Sequence, residues 1–214
     1  MVALAMWLWV FILILALAFF GGFASGRWQL LRHNTGEALV ADTIGGRLYR
    51  PHLLLNNVTL KTEHGTTQID HILVMDAGIF LIETKHYGGW IFGDPKGRQW
   101  TQVGFQRKSK FQNPTHQNYG HLKAVQALLK LPDESFRAVV VFTGDAKFKT
   151  QLGPDVVQLP ELIDYLETER RVLFDEDQIA HIVGRIEMSR LRRSIETDEY
   201  HLNFVRQRFK TSGL

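Results

Sequence analysis

From Gln68 to Lys85 the chain reads QIDHILVMDAGIFLIETK, two runs of Ile, Leu, Val and Phe separated by Asp76-Ala77-Gly78. β-branched and aromatic residues broken by a turn signal predict a β-hairpin, and whatever else the chain forms has to cover it. Three charges sit inside these apolar runs: Asp70, Glu83 and Lys85. Side chains alternate along a strand, so Glu83 and Lys85 share one face while Ile82 and Thr84 take the other. Pairing the arms through the turn brings Asp70 close to Glu83 or Lys85. His71 points away from Asp70 and reads as a packed, hydrogen-bonded histidine, and His86 follows directly after the second arm.

Around the hairpin, TGEALVADTIGGRL places Glu37, Ala41, Ile44 and Leu48 on one helical face, with Thr35 as the cap and Gly45-Gly46 weakening the far end. NNVTLKTE alternates like a strand and GWIFG is a short one. In NPTHQNYGHLKAVQALLK, Asn113 caps a helix of about four turns that opens on Pro114. Gln117, His121, Ala124 and Leu128 lie on a common face of it. FRAVVVFTG reads as a strand covered on both faces, PDVVQL as its short companion, and Pro160 as the start of another helix. Ile179, Ile182, Val183 and Ile186 give an amphipathic helix, and residues 200–210 a final basic one. With 214 residues and 45% hydrophobic composition, one globular domain of ordinary size is expected.

Residues 2–24 contain no charge, and as a helix they would reach roughly 35 Å, enough for a hydrocarbon core of about 30 Å. They read as a transmembrane helix. Gly22-Phe23-Ala24 resembles a signal-peptidase site, but no Lys or Arg precedes the run and it is too long for the core of a signal peptide. Arg27 and Arg32, and more loosely Arg47 and Arg50, follow it, so the soluble domain is expected on the cytoplasmic side. The absence of cysteine excludes disulfides, thiolate metal sites and cysteine nucleophiles. No phosphate-binding P-loop, dinucleotide fingerprint, zinc-protease or serine-hydrolase motif is present.

Two carboxylates as close as Asp70 and Glu83 raise one another's pKa unless a cation lies between them, and a hard divalent ion such as Mg2+ accepts such a site. It would polarise a phosphoryl oxygen and lower the pKa of a water, with Lys85 orienting that water or opposing charge on the phosphate. From spacing alone, an ordinary ion pair on a solvated strand face is the plainer reading. The segment carrying Arg98, Arg107, Lys108 and Lys110, with Trp100 and Phe105 interleaved, suits phosphates and stacked bases equally as it suits a solvated hairpin whose Trp packs on the core. The net charge of +3 adds only mild attraction to polyanions.

In order and spacing, GEALVADTI, TTQIDHILVMDAGIFLIETKHYGGWIFG and FQNPTHQNYGHLKAV resemble the nuclease-related domain, a branch of the PD-(D/E)xK nuclease superfamily. The resemblance covers roughly residues 34 to 130. It implies a restriction-endonuclease-like α/β core, a mixed central sheet flanked by helices, at 34–130; with the membrane helix read above at 2–24 and a C-terminal completion of the domain at 131–214, the chain is expected in three segments. By the same resemblance Asp70 and Glu83 hold Mg2+ or Mn2+, Lys85 acts on the attacking water, and Glu37 and Gln117 complete the site. Without it, Glu37 is equally a first-turn acid favoured by the helix dipole, and Gln117 a polar residue at the edge of a stripe. His121, one turn beyond Gln117, faces phosphate or a neighbouring group. Two classes of function fit: a membrane-anchored nuclease acting on DNA or RNA, or a non-catalytic scaffold tethering nucleic acid or protein to the membrane.

Overall fold

The computed structural model describes residues 35–63, 65–105 and 107–192. The apolar segment 2–24, Arg27, Arg32 and the basic stretch 200–210 lie outside them. Among the described residues no helix is long and apolar enough to cross a membrane.

β2 (Gly65–Met75) and β3 (Gly78–Lys85) form the expected hairpin, with Met75 opposite Gly78 and His71 opposite Ile82. Gly78 adopts φ 141°, and a Cβ there would stand 2.9 Å from the Ser135 carbonyl oxygen, so only glycine fits this turn. β1 (His52–Thr62) pairs antiparallel with the outer edge of β2. On the other side β7 (Phe136–Phe142) runs parallel to β3, and β9 (Val156–Gln158) parallel to β7. The resulting mixed sheet has the order β1-β2-β3-β7-β9.

Both faces of the sheet are covered, which is why β3 and β7 are almost continuously apolar. One face packs Ile72, Val74, Ile79 and Leu81 against Leu122, Val125 and Leu129 of α2 (Pro114–Leu129) and Ile179, Ile182 and Ile186 of α4 (Glu176–Ser189). The other packs Leu73, Phe80, Ile82 and Val139 against Val40 and Ile44 of α1 (35–47) and Leu162 and Leu166 of α3 (Leu162–Thr168). Each such side chain contributes roughly 1.5–3 kcal/mol by leaving water. Because β7 lies inside the sheet, residues 131–192 complete the same core. α1 is already helical at Thr35, so Thr35 is not its cap.

A second, four-stranded sheet has the order β6-β5-β4-β8, from β4 (Gly89–Phe92), β5 (Gln99–Val103), β6 (Lys108–Gln112) and β8 (Ala146–Phe148). Its inner face brings Ile91, Trp100 and Ala146 onto Val140, Phe142, Leu152 and Val156. Trp100 is 1% exposed and donates its indole N–H to the Asp94 carbonyl at 3.0 Å. It is a core residue, not a surface on which bases could stack; Phe105, at the hairpin tip, is fully exposed.

Asn113 joins this sheet to α2. Its side-chain oxygen accepts the Thr115 amide at 2.9 Å, and its Nδ2 donates to the carbonyls of Pro95 and Gly97 at 3.1 and 2.7 Å. Asn113→Ala removes the cap and the hydrogen bonds that tie the 94–97 loop to α2, so it should lower unfolding stability by about 1–3 kcal/mol. Chemical denaturation measures this; a loss below about 1 kcal/mol would contradict the clamp.

Candidate active site

The charges of the β2–β3 hairpin meet where the two strands part. His71 and Ile82 are the last paired residues. Beyond them the Asp70 carboxylate inserts between the strands and accepts the Thr84 amide at 2.8 Å. The splay coincides with a change of strand phase: Asn57 on β1 is left-handed at φ 53°, and Ile69 and Ile72, three residues apart, pack into the same cluster. A bulge-like kink of this kind re-aims a side chain that strict alternation would place elsewhere.

Glu83 is 1% exposed. Its Oε1 receives the Lys85 ammonium at 2.5 Å, and Lys85 Nζ also reaches Gln117 Oε1 on α2 at 3.3 Å. The Glu83 Oε2 atom lies 3.3 Å from His121 Nε2, close enough for an ion pair but misaligned for a hydrogen bond, so both atoms remain without one. On its other side His121 Nδ1 contacts Thr67 Oγ1 at 2.6 Å. Four of the expected residues, Glu83, Lys85, Gln117 and His121, therefore form one buried cluster with Asp70 on the adjoining strand. His121 supports Glu83 from within and is not presented to solvent as a phosphate contact.

Glu37 is buried on α1. Its neighbour Gly36 is packed so tightly that a Cβ would stand 2.9 Å from His86 Cβ and 3.2 Å from Thr84 Cγ2. α1 thus meets the same end of β3, from the layer facing Thr84. Arg98, Arg107, Lys108 and Lys110 are exposed in the β5–β6 region and are not drawn into the Glu83 cluster. His71 is buried, its Nδ1 2.7 Å from Asn56 Oδ1.

Asn118 and Thr67 escaped the reading of the sequence. Asn118 Nδ2 donates to the carbonyls of Leu81 on β3 and Val139 on β7, at 2.8 and 2.9 Å. It pins α2 onto the sheet so that Gln117, one residue earlier, meets Lys85. The available signal was the second asparagine of N-P-x-x-Q-N, a polar residue on an otherwise apolar stripe. Thr67, one of several threonines in a strand, carried none.

Burial alone would push the Glu83 pKa up, but the Lys85 ammonium and then His121 outweigh it and hold the carboxyl at about 2. Burial likewise opposes the Lys85 charge, and Glu83 and Asp70 overcome it, raising its pKa above the ordinary lysine value. Lys85 is therefore an ammonium throughout the neutral range. A depressed carboxylate pKa contributes stability that is complete above pH about 4.5 and is lost as pH falls through about 2. The fold should lose stability across that window, and Glu83→Gln should flatten the loss. Denaturation midpoints between pH 7 and pH 2 measure it; parallel curves for parent and variant would contradict the assignment.

Among the described residues no group of three or more His, Asp and Glu is arranged to enclose a metal ion. The carboxylates that could hold an ion at this place are Asp70 and Glu83, the second of which keeps a buried oxygen without a hydrogen bond. Such a set fits a hard divalent ion that retains part of its hydration, and not an ion caged wholly by protein.

Asp70, Glu83 and Lys85 thus lie at the splayed end of a mixed sheet between two helical layers, in an α/β domain. A family profile described as the nuclease-related domain matches residues 32–143. An uncharacterized protein of Bacillus anthracis is 36% identical over 184 residues, covering 81% of this chain and 84% of that protein. The chain belongs to the nuclease-related domain family.

Proposed function

We propose that the protein is a membrane-anchored, divalent-metal-dependent nuclease that hydrolyses phosphodiester bonds in DNA or RNA. The observation that carries this reading is the Lys85 ammonium held between Glu83 and Gln117, beside Asp70, in a chain of the nuclease-related domain family. A scaffold needs no such arrangement, since burying two carboxylates and an ammonium costs several kcal/mol of desolvation per ion before any is recovered.

In this reading Asp70 and Glu83 hold the ion. A bound Mg2+ or Mn2+ supplies charge opposite a phosphate oxygen and acidifies a water. Lys85, as an ammonium, does not remove a proton from that water; it orients the water and opposes negative charge building on the phosphate. Gln117 and Glu83 together fix the position of the ammonium, and His121, in contact with Thr67, holds Glu83 in its rotamer. Glu37, at the same end of β3, completes the acidic surroundings. The full chain should release products from single- or double-stranded DNA or RNA in Mg2+ or Mn2+ and none in EDTA. Cleavage that persists in EDTA, or its absence on every substrate, would overturn the proposal.

The anchor rests on the uncharged segment 2–24 and on the arginines that follow it. A reporter fused after Leu214 should be cytoplasmic; a reporter active only outside the cytoplasm would refute the orientation.

A further inference from the structure

The second sheet has an outer face that the described residues leave uncovered. Residues opposite one another on paired strands point to the same side, so the register defines its rows. One row runs Lys108, Val103, Trp90, Lys147; the next runs Lys110, Thr101, Phe92, with Lys149, the residue after β8, beside it through its amide bond to the Ile91 carbonyl. Trp90 is 49% and Phe92 37% exposed, and all four lysines are exposed. The inward-facing partners, Ile91, Trp100 and Phe111, pack on the core, so the outward set is fixed by the sheet and not by loop conformation. The Lys149 ammonium stands 4.8 Å from the Trp90 ring centroid, which steadies the indole and sets a cation beside it. No acidic residue occurs on any of the four strands.

We infer that this face binds a single-stranded polynucleotide and delivers it to the Glu83–Lys85 site. Two aromatic rings in the middle of a sheet, flanked on both edges by lysines, match unpaired bases carried on a phosphate backbone. A duplex hides the faces of its bases, leaving the rings nothing to stack on. The sheet is also joined to the site at two points. β4 begins four residues after Lys85, and β6 passes through Asn113 into the helix bearing Gln117 and His121. The inference rests on the proposed nuclease reading for its purpose, but not for its binding chemistry.

Fluorescence anisotropy in EDTA, with the full chain and a labelled oligonucleotide, separates the two. The parent should bind the single strand at least tenfold more tightly than the duplex of the same sequence. Trp90→Ala with Phe92→Ala should weaken single-strand binding at least tenfold and duplex binding less than twofold, and Trp90→Phe should restore most of the first loss. Lys147→Gln with Lys149→Gln should lower the dependence of binding on salt, and provides a test should the aromatic variant not fold. Unchanged single-strand binding in folded variants, or tighter binding of duplex, would overturn the inference. So would binding of the same face to anionic phosphatidylserine vesicles with none to oligonucleotide. A parent that binds single strands through this face yet cleaves nothing in Mn2+ would refute the nuclease and leave the platform standing. A parent that cleaves, with platform variants equal to it in binding and in cleavage of single strands, would do the reverse.

Discussion

Lys85→Met should reduce cleavage by about 10²–10⁴-fold while nucleic-acid and divalent-ion binding stay at least as tight as in the parent. The substitution keeps the apolar stem and deletes an ammonium that touches Glu83 at 2.5 Å and Gln117 at 3.3 Å. A charge that opposes the negative charge developing on phosphate acts on the transition state more than on the bound substrate, so the loss should fall on rate and not on affinity. Deleting it also leaves Glu83 buried without its cation, and breaking a buried pair costs about 3–5 kcal/mol. The metal-free variant should therefore melt well below the parent, and Mn2+ should recover much of the difference by taking the place of the lost charge. Single-turnover rates in saturating Mn2+, with circular dichroism as the check on folding, give the answer. A folded Lys85→Met protein that cleaves as fast as the parent would sink the role assigned to this lysine.

Asp70→Asn should abolish divalent-ion binding without unfolding the protein. The amide keeps an oxygen to accept the Thr84 N–H, the bond that seats Asp70 between the parted strands. It removes one of the two carboxylates proposed to hold the ion. Loss of a group that merely orients a ligand costs roughly 10- to 100-fold in metal affinity, and loss of a ligand itself should exceed that. Cleavage should fall with it. Titration calorimetry with Mn2+ on parent and variant measures the effect; equal affinities in two folded proteins would show that the ion is held elsewhere.

The hairpin that carries Asp70, Glu83 and Lys85 was legible because its turn is short and its arms are apolar, which fixes register over a few residues. The family resemblance added Gln117 and Glu37, which periodicity alone left ambiguous. That Asp70 lies near Glu83 and Lys85 was legible from the pairing of the arms; its insertion between the strands onto the Thr84 amide was not, since it depends on where β2 and β3 part. Trp100 was read either with Phe105 as a partner for bases or as packed on the core, and it is the second that holds, with only Phe105 exposed. A short strand does not reveal which of its faces is covered until its neighbours are known. The second sheet depends on Gly89 pairing with Ala146, a contact between residues far apart in the chain that no local pattern announces. On α2 the expected stripe of Gln117, His121, Ala124 and Leu128 is turned slightly, so that Asn118, Leu122, Val125 and Leu129 are buried instead alongside His121. That rotation places Gln117 at the rim, against Lys85, and gives Asn118 the place beneath.

We propose that this cluster, with a divalent ion, breaks phosphodiester bonds. The most direct measurement is the initial rate of nucleic-acid cleavage by the full chain as Mn2+ is raised from zero, with Glu83→Gln run beside it. The parent should rise from no activity to a plateau and return to none on chelation, while the variant stays flat at every concentration. A parent rate independent of Mn2+, or a folded Glu83→Gln protein that follows the parent curve, would contradict the account.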